Sequence, residues 1–352
     1  MSSVPTPVES PVLVVGTGLV GTSVALGLTA AGVQVHLRDV DAENVQLAVG
    51  LGAGTDAPVE APAIVVLAVP PSVLAAEVEA ALAEFPDAVI TDVGSVKQAV
   101  CSAITEPRFV GGHPMAGKER SGPLAGSARL FEGRPWAIVP TEYSSAAAIA
   151  AVEDLARTLG AVTVRLEAES HDRAVAVVSH VPHLVSNLAA GLLNDTSESQ
   201  MVLAGQGLRD VTRIARSDTG LWVDIIRANA EPVAETLNEL RVRLDELISI
   251  VEDKASGLDA VLARGRSGTN HIPGKHGDLP SDVTTVYVTI DDEPGELARL
   301  LVDTGDVDVN IEDVRIDHEV GRPVGLVEIL VVPERAEFLA GALNSRGWTA
   351  YL

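Results

Sequence analysis

Three short segments concentrate the residue types that do chemistry. The first, Gly16-Thr17-Gly18-Leu19-Val20-Gly21, follows an apolar run and opens an Ala- and Leu-rich one, and Asp39 stands about 20 residues further on. Glycines at this spacing allow a tight turn and let backbone approach a pyrophosphate, which the free N–H groups and dipole of the following helix attract. An acid at the end of the next strand accepts from both ribose hydroxyls and repels a 2′-phosphate, so Asp39 favours NAD. Arg38 blurs that preference. A guanidinium beside the acid accommodates NADP, although a solvated Arg at a strand end is the plainer reading. The other two segments are Thr91-Asp92-Val93-Gly94-Ser95-Val96-Lys97 and Gly111-Gly112-His113-Pro114-Met115-Ala116-Gly117-Lys118-Glu119-Arg120-Ser121-Gly122. Both follow apolar runs, at the place where an open α/β sheet binds ligands. Their density of Gly, Ser and His brings backbone close to a ligand and aims polar side chains at it.

Elements must hold these segments in place. Short apolar runs at 12–15, 33–37, 64–68, 89–91, 109–111, 136–139 and 162–166 read as strands, with helices at 20–31, 42–51, 73–84 and 146–159. This alternation predicts βαβ units and a parallel, Rossmann-type sheet over 11–169, after a Pro- and Ser-rich flexible tail at 1–10. From 170 to 264 the strand-like runs stop and long amphipathic stretches at 171–193 and 221–251 take over, predicting an all-helical domain. Apolar faces of that length pack against one another or against a second copy of the chain. Residues 265–282, rich in Gly, Pro, Ser and His, read as a flexible linker. The remainder, 283–352, spells a compact βαββαβ module of ferredoxin-like type.

Composition narrows the function. With 352 residues, 47% of them apolar, the chain can bury more than one core. A formal net charge of −24 excludes a basic nucleic-acid footprint. Cys101 is the sole cysteine, which leaves no disulfide or thiolate cluster and fits a reducing, cytoplasmic compartment. The uncharged stretch from Ser10 to Leu37 is long enough to raise a membrane span. Its five glycines and its acidic flank at Glu9 argue for a buried strand, a turn and a buried helix instead, with no membrane partner.

Together with Ala68-Val69-Pro70 at an earlier strand end, these segments resemble the prephenate dehydrogenase family. The match extends to His171-Asp172, Ser179-His180-Val181-Pro182-His183, Arg209-Asp210-Val211-Thr212-Arg213-Ile214-Ala215 and Trp222, and so covers about residues 11–264. The resemblance implies NAD-dependent oxidative decarboxylation of prephenate, a small cyclohexadienol, to 4-hydroxyphenylpyruvate and carbon dioxide in tyrosine biosynthesis. Arogenate dehydrogenase is the alternative, since the two substrates differ only in a keto versus an amino group. The dinucleotide would lie on Gly16, Gly18, Leu19, Val20, Gly21, Asp39, Ala68, Val69 and Pro70. His113 would take the hydroxyl proton as hydride leaves, a role that suits a neutral imidazole. Ser95 would hydrogen-bond the hydroxyl. Arg213 would bind the side-chain carboxylate bidentately, with His183 as a further donor and Glu119 at the pocket mouth. The loop Asp291-Asp292-Glu293-Pro294-Gly295 resembles the ligand loop of ACT domains, implying a tyrosine effector there, and the helical domain implies a homodimer.

Plainer readings stand beside these. Ser95 could cap a helix beginning at Val96. His180 and His183, three apart, suit a metal pair, but no third ligand has matching spacing, and His171 falls on the opposite face of a continuous helix; no metal is expected. Lys97 either stabilises its loop or touches the ligand. Pro294-Gly295 is also an ordinary helix-start turn, in a module that serves assembly alone. A β-hydroxyacid-type reductase would share the fingerprint but carry a catalytic Lys in its helical domain, and a non-catalytic NAD sensor would not need His113, Ser95 and Arg213 together.

Overall fold

The computed structural model describes residues 8–118, 120–272, 283–318 and 324–352. Two compact units divide the chain, Met1–Ser249 and Ile250–Leu352.

In the first unit, strands β1 (Val12–Val15), β2 (Val35–Arg38), β3 (Ile64–Leu67), β4 (Val89–Asp92), β5 (Phe109–Pro114), β6 (Pro135–Pro140) and β7 (Val162–Arg165) form one sheet in the order β2-β1-β3-β4-β5-β6-β7. Helices α1 (Leu19–Ala30), α2 (Ala42–Gly50), α3 (Pro71–Glu84), α4 (Gln98–Ala103) and α5 (Ala146–Thr158) connect them. Period-two burial sends Val12, Val14, Val66, Trp136 and Ile138 into one core with α1, α2 and α5. Leu13, Val15, Val65, Ala137 and Val139 enter a second core with α3 and α4. Such double cover is why the strands are almost wholly apolar.

The alternation predicts a wholly parallel sheet, and the sheet departs from that after β5. β6 runs antiparallel to β5, pairing His113 with Ala137 and Pro114 with Trp136. Between them the described chain holds only a 3₁₀ turn at Pro123–Ala125 instead of a crossover helix, so β6 returns antiparallel beside β5. β5 also runs past Gly111, which places His113 inside a strand instead of in a loop.

The helical part of this unit comprises α6 (Ala168–Val175), α7 (Val181–Gly191), α8 (Glu198–Met201), α9 (Gln206–Thr212), α10 (Thr219–Ala228) and most of α11 (Ala230–Glu252). Neither expected long helix is continuous. A π-turn at Ala176–His180 separates α6 from α7, and Asn229 separates α10 from α11. The extra residue of a π-turn rotates the succeeding helical turns, so His171 and His180 are each only 1% exposed and do not fall on opposite faces.

In the second unit α12 (Leu258–Thr269) carries helix into the expected linker, so 265–269 are helical. The remainder of that segment, from 273 to 282, lies outside the described residues. Then come β8 (Thr284–Asp291), α13 (Glu296–Gly305), β9 (Asp313–His318), β10 (Val324–Val331), α14 (Pro333–Ser345) and β11 (Thr349–Tyr351). The four strands pair antiparallel in the order β11-β8-β10-β9 over a core of Val286, Val288, Leu300, Val327, Ile329, Leu339 and Leu343.

Candidate active site

The dinucleotide turn forms as its glycines require. Gly16 sits at φ +96°, where a Cβ would run into the carbonyl of Ala68, so the β1 and β3 strand ends approach as closely as they do only without a side chain. Gly18 heads α1 without a side-chain cap or an acid in the first turn, leaving the helix N-terminus with Leu19, Val20 and Gly21 open to an anion. Asp39 follows β2 and accepts from the Thr17 backbone N–H and from Thr17 Oγ1 at 2.9 Å, which aims the acid at the turn. Ala68 and Val69 follow β3, and Pro70 stands at the N-cap of α3. These residues fit a bound dinucleotide. Arg38, by contrast, is committed elsewhere. It donates to both Glu84 oxygens at 2.8 Å, lies over the Phe85 ring at 5.6 Å and has its pKa raised, first by the Glu84 hydrogen bond.

On the same sheet edge, His113 stands at the end of β5, 8% exposed. Its Nδ1 lies 2.9 Å from His171 Nε2, and His171 Nδ1 lies 2.7 Å from Asp172 Oδ1. An ionised carboxylate only accepts, which places a proton on His171 Nδ1. His171 Nε2 then accepts from His113 Nδ1, and His113 is left with a lone pair on Nε2. The tautomer is assigned by this chain of partners.

Asp172 does more than hold an imidazole. Its Oδ1 and Oδ2 accept from the backbone N–H groups of Lys97 and Gln98, both at 2.8 Å. The cap of α4 is therefore a carboxylate from another helix, and α4 begins at Gln98, two residues later than expected. Ser95 does not cap it; Ser95 stands half-buried between β4 and α4. Beneath, Lys97 and Asp92 form an ion pair with both side chains fully buried. Asp92 also accepts from Gly94 N at 2.9 Å and Gly112 N at 3.3 Å, joining the two polar segments. Gly112 has no room for a Cβ, which would come within 2.6 Å of Asp92 O. Lys97 thus stabilises its loop.

Behind His171, Asn229 is 2% exposed and donates to the Asp172 carbonyl at 2.8 Å and to His180 Nδ1 at 3.0 Å. Trp222 meets His180 edge-on, with ring centroids 6.0 Å apart, and stacks on His183 at 3.5 Å. Among the described residues no group of three or more His, Cys, Asp or Glu is placed to hold a metal. Arg213 is exposed on a 3₁₀ turn, Arg213–Arg216, that packs against α7, the helix carrying His183. Glu119 lies outside the described residues.

Burial keeps His113 and His180 neutral. Burial, then His171, Lys97 and His180, hold His113 well below the ordinary 6.5. Burial likewise takes His180 down to about 4. Burial also pushes the Cys101 thiol up to about 12, so it stays protonated and inert. The residues missed in the sequence are Asp92, Asn229 and the linking roles of His171 and Asp172. A His-Asp pair at the start of an apolar helix is the one signal that could have exposed them.

A nucleotide-binding sheet with a proton-accepting imidazole at its strand ends defines an NAD-dependent oxidoreductase. The comparisons with known proteins narrow the class. Residues 24–165 match the prephenate dehydrogenase nucleotide-binding domain, and 167–263 match the prephenate dehydrogenase dimerization domain. A probable prephenate dehydrogenase, NovF, of Streptomyces niveus is 34% identical over 96% of this chain and 98% of its own length. The Bacillus subtilis prephenate dehydrogenase is 29% identical over 88% of each chain. Among solved structures, Aquifex aeolicus prephenate dehydrogenase in complex with hydroxyphenyl propionate and NAD+ aligns with a TM-score of 0.67 at 30% identity, covering 73% of this chain and 96% of that one. Synechocystis arogenate dehydrogenase gives 0.61 at 26% identity, covering 73% and 98%. The chain belongs to the prephenate dehydrogenase family.

Because His180 has its folded pKa depressed, the folded state binds fewer protons than the unfolded one between about 4 and the ordinary 6.5. The stability it confers is complete above pH 6.5 and declines as pH falls toward 4. The thermal midpoint should therefore fall over that window, and fall less steeply in His180→Gln. Equal slopes in wild type and variant would remove His180 from this account.

Proposed function

We propose that the chain oxidises and decarboxylates prephenate to 4-hydroxyphenylpyruvate and carbon dioxide in tyrosine biosynthesis. The observation that carries this reading is the lone pair on His113 Nε2, set by His171 on the same end of the sheet as the dinucleotide turn. NAD, which Gly16, Gly18, Leu19, Val20, Gly21 and Asp39 would hold, would supply the acceptor for the hydride of the substrate's carbinol carbon. His113 accepts the hydroxyl proton, and Ser95, from the neighbouring strand end, hydrogen-bonds the same hydroxyl. Arg213 pairs with the side-chain carboxylate and His183 supplies a further donor. Arogenate is the second reading, favoured by the likeness to the Synechocystis arogenate dehydrogenase.

The organisation we propose is a nucleotide-binding domain at 11–169, a helical substrate and dimerisation domain at 170–264, a connector to 282 and an ACT-like regulatory module at 283–352. The strand and helix order of that module and its pairing β11-β8-β10-β9 support a ferredoxin-like fold. Tyrosine is its proposed effector. A second copy of the chain covers the exposed apolar residues Val177, Val178, Leu188 and Leu192, in a soluble cytoplasmic homodimer.

Steady-state turnover of prephenate and of arogenate, each with NAD and NADP, tests the assignment. Wild type should turn over one of them with NAD, and His113→Asn should lose about 10²–10⁴-fold in kcat with cofactor affinity unchanged. The base works only when neutral and His113 sits below 6.5, so the ascending limb of kcat/KM should lie below that pH. A limb at or above 6.5, or near-normal turnover by the variant, would refute the role.

Cofactor choice follows from two carboxylates. Asp39→Ser should weaken NAD binding yet gain little NADP activity, because Glu84 still holds Arg38. Adding Glu84→Gln should release the guanidinium and raise kcat/KM for NADP beyond the single variant. Identical NADP kinetics in the single and double variants would show that Arg38 cannot reach a 2′-phosphate.

Regulation is tested by truncation near Asp282. The shortened enzyme should stay active and lose inhibition by tyrosine, whose coupling is typically about 1–3 kcal/mol. Unchanged and purely competitive inhibition would place tyrosine in the active site and leave the module a role in assembly.

A further inference from the structure

Asp172 is a buried carboxylate whose described hydrogen bonds come from two backbone N–H groups and one imidazole, with no Lys or Arg among them. The neighbouring cation, Lys97, is paired with Asp92 instead. A carboxylate 2% exposed and lacking a cation is a costly arrangement unless a positive charge arrives during function. Among the described residues, His113 hydrogen-bonds to an imidazole and to no carboxylate, and Lys97 and His180 oppose a charge on it. The charge that catalysis creates therefore has a better home one ring away.

We propose that His171 and Asp172 form a proton relay behind His113, so that the positive charge rests on His171 against Asp172 while the substrate is oxidised. This rests on the reading of the chain as a cyclohexadienol dehydrogenase. As the C–H electron pair departs as hydride to the oxidised dinucleotide, the hydroxyl O–H bond breaks. Its electron pair becomes the second bond of the new carbonyl. The proton joins His113 Nε2, and the proton already on His113 Nδ1 crosses 2.9 Å to His171 Nε2. His171 is then an imidazolium whose Nδ1–H faces Asp172 Oδ1 at 2.7 Å. When the C–CO₂ bond breaks, its electron pair enters the ring and the carbonyl oxygen becomes a phenoxide. That oxygen recovers a proton from His113 Nε2, and His171 Nε2 returns its own to His113 Nδ1. No net proton is lost, so the buried pair needs no exit to solvent. His171 and Asp172 touch neither substrate nor cofactor in this scheme; they act through His113 as positioning residues.

The test is a proton inventory on kcat with substrate deuterated at the carbinol carbon, which makes hydride transfer limiting. Two protons in flight should give wild type a bowed dependence on deuterium fraction. His171→Gln, whose amide can still accept from His113 Nδ1 but carries no proton onward, should give a straight line. Its kcat should fall about 10²-fold, while KM and NAD affinity stay within about threefold. A straight wild-type inventory, or no solvent effect, overturns the relay without any variant. So does a His171→Gln enzyme with wild-type kcat. If wild type reduces NAD with neither prephenate nor arogenate, the functional reading fails and the relay with it. Turnover by wild type with a straight inventory removes the relay alone.

Discussion

The carboxylate of Asp172 is the joint on which the site depends. It reaches from α6 to the first two N–H groups at the start of α4, where the helix has unsatisfied donors and a positive dipole end. One of its oxygens at the same time fixes the proton on His171, and through it the tautomer of His113. Two hydrogen bonds thus tie the start of α4 to the Asp172 side chain, and a third, through His171, carries the tie on to the strand end at His113. Asn229 holds the same residue from behind by its carbonyl. Loss of the carboxylate would leave two buried N–H groups and an imidazole without their acceptor, each costing on the order of 1–3 kcal/mol.

Two buried carboxylates stand at this strand edge, and their partners divide their work. Asp92 is neutralised by Lys97 and accepts from Gly94 and Gly112, so it is committed to joining two loops. Removing either member of that pair would leave a bare charge in the core, typically a loss of about 3–5 kcal/mol. The described hydrogen bonds to the Asp172 carboxylate come from two backbone N–H groups and one imidazole, so its field remains available to the imidazoles. Gly112, the residue before His113, packs against Asp92 so closely that a Cβ there would clash with its carbonyl.

Much of this was legible in the residues. The glycine fingerprint and Asp39 lie where the spacing put them, because local turn chemistry and strand period are written in neighbouring positions. The antiparallel direction of β6 was missed although its signal was present: no helix was expected between 111 and 136, and a connection without a crossover helix returns the chain antiparallel. The π-turn was not legible, since it costs one residue in an apolar run and leaves the helical pattern of Ala168–Val175 and Val181–Gly191 intact on either side. That single insertion decides whether His171 and His180 share a side. Ser95 looked like a cap because Ser is a good one, but the N–H groups in question were taken by a carboxylate 74 positions away, a partner no local window contains. The partner of Arg38 was out of reach for the same reason: Glu84 is 46 residues distant.

The helical run Ala168–Asp195 satisfies the length and apolarity of a membrane span, with a mean hydropathy of 1.4 over its best window. Its first half nevertheless carries His171, Asp172 and His180, all nearly inaccessible. Ionisable groups in hydrocarbon need partners from within the protein, and these partners come from Lys97, Gln98, His113 and Asn229. The run is therefore bound into the site along one side by directional polar contacts, which fix its rotation. The other side presents Val177, Val178, Leu188 and Leu192 to solvent, apolar surface that water disfavours by roughly 25 cal/mol per Å². A surface so held cannot turn inward to hide these residues without breaking the Asp172 joint. The polar contacts that orient His113 and the exposed apolar residues thus lie on one helical run, and the rotation that serves the first fixes where the second stand.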